Sequence, residues 1–173
     1  LDVPGAYADA TVGDDFIVGS ALDDVLVGNA GNDTFYGGSG SDTLTGGSGA
    51  DTFMFGRGAD HDVIVNADPI DTISLGTELA AEEVWLFQQG DDLMIQLLGS
   101  DDSLTVADWY ASNGQQVGAI EVGGSTLQAS NVQNLVDAMS VFGVNEVSVD
   151  SLDRNSTDFQ NTQAVIAANW QSS

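Results

Sequence analysis

The sequence predicts an all-β fold: a right-handed parallel β-roll, closed by a β-rich C-terminal cap and followed by one or two short terminal helices. Three observations lead there. Aspartates recur nine residues apart at Asp15, Asp24, Asp33, Asp42, Asp51 and Asp60, most with glycines a few positions upstream. Each of the first five is followed by a short x-U-x tail, U being large and apolar, as in Thr34-Phe35-Tyr36 and Thr43-Leu44-Thr45. Beyond about residue 75 the period gives way to longer strand-like runs separated by turns rich in glycine and aspartate.

The clearest repeats are G-N-A-G-N-D-T-F-Y (Gly28 to Tyr36), G-G-S-G-S-D-T-L-T (Gly37 to Thr45) and G-G-S-G-A-D-T-F-M (Gly46 to Met54). This is the nonapeptide G-G-x-G-x-D-x-U-x of a parallel β-helix that binds calcium. The β-branched and aromatic tails suit short strands, with U pointing inward and its neighbours outward. Two nonapeptides make one coil of eighteen residues, so Asp15, Asp33 and Asp51 line one edge, and Asp24, Asp42 and Asp60 the other. Coils stacked about 4.8 Å apart bring loops two repeats apart into contact. After Asp60 the register slips by two, and Asp62-Val63-Ile64-Val65 and Asp71-Thr72-Ile73-Ser74 resume the nine-residue step without the glycines. That reads as the roll continuing past a bulge, with weaker metal loops where the glycines are missing.

The next segment holds the runs Val84–Phe87, Leu93–Leu97, Ser103–Val106 and Ala119–Val122. A solenoid would otherwise expose its last apolar coil, so this segment is its cap. Ser130 or Asn131 opens a helix whose apolar face is Val132, Leu135, Val136 and Met139. A polar linker is expected from Asn145 to about Asp158, then a second helix over Thr162 to Asn169. The divisions are a linker from an upstream region over 1–9, the roll over 10–75, the cap over 76–129 and a helical flank over 130–173. Because the chain opens mid-pattern, it reads as the C-terminal piece of something longer.

Charge narrows the function. Twenty-seven acidic residues face two arginines, for a formal net charge of −25. Such a chain repels nucleic acid and anionic lipid headgroups, and cations are its natural counterpart. With no cysteine there is no disulfide to staple the fold, which leaves metal. Calcium takes six to eight oxygen ligands, and a glycine turn supplies carbonyls plus one carboxylate. Several such ions are expected, in a chain that is otherwise a monomer.

Nothing points to catalysis. There is no G-x-S-x-G, H-E-x-x-H or phosphate-cradling lysine, and His61, the lone histidine, reads as a turn residue. Asp91-Asp92 and Asp101-Asp102 read as solvated turns, the alternatives being an extra calcium site or glycosidase-like carboxylates. Trp85, Trp109 and Tyr110 read as core packing, with sugar stacking as the alternative.

The chain resembles the RTX (repeats-in-toxin) exoproteins. Beyond the repeats, Asp102-Ser103-Leu104-Thr105-Val106-Ala107-Asp108-Trp109-Tyr110 and Ile166-Ala167-Ala168-Asn169-Trp170 are similar to their haemolysin-type C-terminal flank. The likeness runs most strongly to the last block of the adenylate cyclase toxin-haemolysins. The resemblance implies metal ligation by the carboxylates of Asp24, Asp33, Asp42 and Asp51, with Asp15 and Asp60 peripheral. Turn carbonyls complete the shells: Gly28, Ala30 and Asn32; Gly37, Ser39 and Ser41; Gly46, Ser48 and Ala50. Leu22, Ala10 and Thr11 replace loop glycines in the first two repeats, which weakens sites at that end. The resemblance also implies secretion by a type I machinery reading a signal in the last fifty residues or so, and folding on extracellular calcium. Contact with a host membrane or receptor would come only through the upstream passenger. The alternative is a calcium-dependent adhesin or glycan-binding module.

Overall fold

The computed structural model describes residues 7–140 and 156–172. Residues 1–6 of the N-terminal linker and most of the linker expected over 145–158 lie outside them.

Eight short strands build the roll: β1 Tyr7–Asp9, β2 Phe16–Val18, β3 Val25–Ala30, β4 Thr34–Tyr36, β5 Thr43–Ser48, β6 Thr52–Met54, β7 His61–Ile64 and β8 Thr72–Ser74. Odd strands pair in parallel in one sheet and even strands in parallel in another. The register is eighteen residues for Val25↔Thr43 and Thr34↔Thr52. It becomes twenty for Thr43↔Val63 and Thr52↔Thr72. One two-residue insertion between Met54 and Val63 accounts for both. β1 pairs with β3 although Ala6 stands where that repeat's aspartate would be, so strand pairing reaches one coil further than the aspartate count.

The middle residue of each tail is buried, and these residues stack from coil to coil. Leu26, Leu44 and Ile64 form one column; Ile17, Phe35, Phe53 and Ile73 form the other. The rings of Phe35 and Phe53 stack with centroids 5.1 Å apart. Phe53→Ala is expected to cost the calcium-loaded protein about 3–5 kcal/mol, as deletion of a fully buried aromatic does. Urea unfolding in calcium measures it, and a loss under about 1 kcal/mol would refute this packing role.

The cap lengthens both sheets. β11 (Ser103–Val106) joins β7 in parallel, then β10 (Asp92–Leu97) and β9 (Val84–Gln89) follow antiparallel. On the other side β12 (Ala119–Val122) joins β8 in parallel, followed by β13 (Ser125–Gln128) and the two-residue β14 (Gln171–Ser172). Among the described residues two seven-stranded sheets result. Trp85 and Trp109 are sunk in the core they enclose, where neither can stack on a sugar. The helices α1 (Ala129–Ser140) and α2 (Thr157–Asn169) complete a β-rich fold among the described residues. The four residues expected on the apolar face of α1 are the four it buries. Its Met139 sulfur accepts the Leu86 N–H at 3.1 Å, which seats the helix on β9. α2 starts five residues before the expected Thr162, because the Ser156 hydroxyl accepts the Phe159 N–H and caps an earlier turn.

Candidate metal centre

Each loop of the roll places its aspartate at a sheet edge, directly beneath the equivalent aspartate of the next coil. The Oδ1 atoms of Asp33, Asp42 and Asp51 accept the backbone N–H of Asp15, Asp24 and Asp33 at 2.8 Å. Asp62 and Asp71 continue the two ladders at 3.0 Å, accepting from Asp42 and Asp51. All of Asp24, Asp33, Asp42, Asp51, Asp62 and Asp71 are about 1% exposed. A second, more exposed column runs beside them. There the side chains of Asp14, Asp23 and Asn32 accept the N–H groups of Asn32, Ser41 and Ala50.

The decisive feature is what remains unpaired. The Oδ2 atoms of Asp33, Asp42 and Asp51 are buried without a hydrogen-bond partner among the described residues. A buried carboxylate oxygen left bare costs several kcal/mol in order of magnitude unless a positive charge meets it. Each points at the first glycine of its own loop: a Cβ on Gly28, Gly37 or Gly46 would collide with it. A Cβ on Gly28 would also strike the carbonyl oxygen of Gly46, and one on Gly19 the carbonyl of Gly37. Carboxylate and next-coil carbonyl therefore converge on one space that only glycine leaves open. The carbonyls of Ala30 and Ser48 accept the N–H groups of Gly13 and Gly31, each with a second lone pair to spare. Among the described residues no three His, Cys, Asp or Glu side chains converge. A cation here takes much of its shell from the backbone, as a hard oxygen-seeking ion does.

Burial raises the carboxyls of Asp42, Asp51 and Asp71, and neighbouring aspartates add to it. Burial likewise pushes Asp62 up to about 7, helped by Asp42, Asp60 and Asp102. Backbone N–H donors oppose the rise in all four, but they do not cancel it. These are sites starved of positive charge.

The N-terminal loops differ. Asp15 Oδ2 accepts both the N–H and the hydroxyl of Thr11, and Asp24 Oδ2 accepts the Ser20 N–H. Thr11 and Ser20 stand at the loop's second position, where the repeat wants glycine, so protein donors already serve these carboxylates. Asp60 needs a correction. It does not join the edge of Asp24 and Asp42, because the two-residue insertion puts Asp62 there instead. Asp60 is exposed with φ +63, and its carboxylate accepts the Gly40 N–H at 3.1 Å. Asp62 and Asp71, which the sequence places on the continuing roll, take the ladder positions, and the x-U-x tail after each is the signal that carried it. Asp102 is also not a solvated turn residue but 6% exposed. His61 opens β7, its Nδ1 lying 3.0 Å from Ser103 Oγ.

Comparison with known proteins agrees with this geometry. Residues 9–44 and 27–62 each match the family model of the RTX calcium-binding nonapeptide repeat. The solution structure of the AlgE6R3 subunit of the Azotobacter vinelandii mannuronan C5-epimerase is 30% identical, covering 62% of this chain and 73% of that one, at a TM-score of 0.50. The extracellular lipase LipA of Serratia marcescens is also 30% identical, over 59% of this chain and 18% of that one, at 0.39. A repeat that matches in sequence, a likeness spanning most of an RTX-type module, and buried carboxylate oxygens of the kind a hard cation takes converge: this chain belongs to the RTX proteins, and its nonapeptide repeats bind calcium.

Proposed function

We propose that this chain is a calcium-triggered folding module of a secreted bacterial exoprotein, haemolysin-like and without catalysis of its own. Calcium held by Asp33, Asp42 and Asp51 through Oδ2, with carbonyls of the glycine turns, neutralises the stacked carboxylates. The orphaned oxygens at those three residues are the observation that carries this reading. Before calcium is met, a chain of net charge −25 repels itself and stays extended. Such a chain is threadable through a type I secretion machinery. Outside, ion binding supplies folding free energy, since the shell exists only in the rolled state. Folding there would oppose return and stabilise a passenger carried on the same polypeptide.

Far-UV circular dichroism tests this. In a chelator the strand signal of the roll should be largely lost, and millimolar calcium, the range of extracellular modules, should restore it cooperatively. Equal strand content in both conditions would refute the proposal.

A second reading, a calcium-dependent glycan or cell-surface binder, draws on one observation. Val18, Tyr36 and Met54 form an exposed apolar column across the even-strand sheet, with Phe16 beside it. Binding of the calcium-loaded chain to a glycan array, abolished by Tyr36→Ala, would favour it.

A further inference from the structure

The run of carboxylates lacking a partner stops at the last coil. Asp71 has protein donors on both oxygens, the N–H of Asp51 at 3.0 Å and that of Asp68 at 2.8 Å. Asp102, in the cap, accepts the N–H groups of Gly58 and Asp60, both at 3.0 Å. Leu104 pairs with Asp62, so on that edge a leucine follows where a further carboxylate would stack.

The loop at this junction is a disguised repeat. Phe55-Gly56-Arg57-Gly58-Ala59-Asp60 has the form of Gly46-Gly47-Ser48-Gly49-Ala50-Asp51, with Arg57 where Ser48 stands, and Ser39 one repeat earlier. Arg57 is the only lysine or arginine among the described residues. Its Nη2 donates to the Leu98 carbonyl at 2.9 Å and pairs with Glu83 Oε1 at 2.9 Å. Burial works to raise the Asp102 carboxyl, yet hydrogen bonds from Ser100, Gly58 and Asp60 and the Arg57 charge hold it below the usual range. A carbonyl from the facing turn and carboxylates around one positive charge is the same set of partners a calcium ion collects between coils. A guanidinium, permanently charged and weakly hydrated, is suited to replace it.

We propose that Arg57 is a tethered cation that closes the last turn of the roll against the cap without calcium, ending the ion series there. The junction of β7 with β11 is then folded before calcium binds, and the ion-dependent coils add onto it toward the N-terminus. This rests on the calcium-folding reading above.

Hydrogen exchange of the whole chain, in chelator and in calcium, separates the two. The amides of Asp24 and Asp33 report on the ion-dependent coils, and those of Gly58 and Asp60 on the junction. Expected are coil amides protected only in calcium and junction amides protected in both. Arg57→Ser, which restores the loop's usual residue, should speed junction exchange in chelator about tenfold or more, the size of a lost charge-assisted hydrogen bond. Glu83→Gln removes only the half-exposed pair and should leave junction protection in place. Junction amides protected only in calcium would overturn the proposal from the wild-type data alone, whether or not Arg57→Ser folds. Unchanged exchange in folded Arg57→Ser, or loss of protection in Glu83→Gln, would overturn it too. Coil amides indifferent to calcium would instead sink the calcium-folding reading.

Discussion

Asp42→Ala is expected to raise the calcium concentration at the folding midpoint about tenfold or more, because about 1.4 kcal/mol already makes a factor of ten. Two losses combine. The Asp24 N–H, which donates to Asp42 Oδ1 at 2.8 Å, is left buried and unpaired, at about 1–3 kcal/mol. The Oδ2 that faces Gly37 also disappears, and with it one anionic ligand. Asp42→Asn separates the two, since an amide oxygen still accepts the Asp24 N–H but carries no charge. It should keep the stacking and still need markedly more calcium. Asp23→Ala is the control. Asp23 is exposed and accepts one N–H, from Ser41 at 2.8 Å, so its removal should cost no more than about 0.5 kcal/mol. Calcium titrations followed by circular dichroism on the three variants decide. An Asp42→Ala midpoint within a factor of about two of wild type would remove Asp42 from the ion-binding set.

Acid should have opposite effects with and without calcium. Burial raises Asp42, Asp51 and Asp71 above the ordinary 3.8, and Asp62 to about 7. A carboxyl whose folded value is raised binds its proton more tightly in the folded chain than in the unfolded one. Its contribution to the metal-free roll is therefore complete below the unfolded value and is lost as pH rises through the folded one. For Asp62 that window runs from 3.8 to about 7. In calcium-stripped buffer, lowering the pH from neutrality toward 5 should increase β structure. With calcium present, protons compete for the same oxygens, because the ion requires the carboxylates deprotonated. The calcium midpoint should then climb as pH falls. Circular dichroism across that range, with and without calcium, checks both signs. A metal-free signal that is flat or declines on acidification would contradict the burial of these side chains.

The repeat made much of this readable in advance. A nine-residue period with an apolar residue two positions after each aspartate names both the strand and its inward face. Phe35, Leu44 and Phe53 were legible for that reason. So were the cap strands and the buried face of α1, which follow from alternation and helical spacing over longer runs. Asp60 was misplaced for an instructive reason. Periodicity counts residues, whereas coils stack by hydrogen bonds, and a roll absorbs two extra residues by letting Asp60 adopt a left-handed conformation while Asp62 takes the ladder. Asp102 was misread because a D-D pair between strands looks solvated until the opposing loop supplies the N–H groups of Gly58 and Asp60.

Local chemistry along the chain was enough to establish the repeat, the inward-facing apolar columns and the preference for calcium, since glycine turns and carboxylates carry that information within nine residues. Which carboxylates are left bare, and where the series stops, depends on how the folded coils seat donors against them, some three or four residues away and others eighteen to some forty. Thr11 and Ser20 satisfy the first loops, Asp68 and the Gly58–Asp60 turn satisfy the last, and Arg57 brings its own charge. A hydrogen bond has two ends, and only folding brings the second one into place.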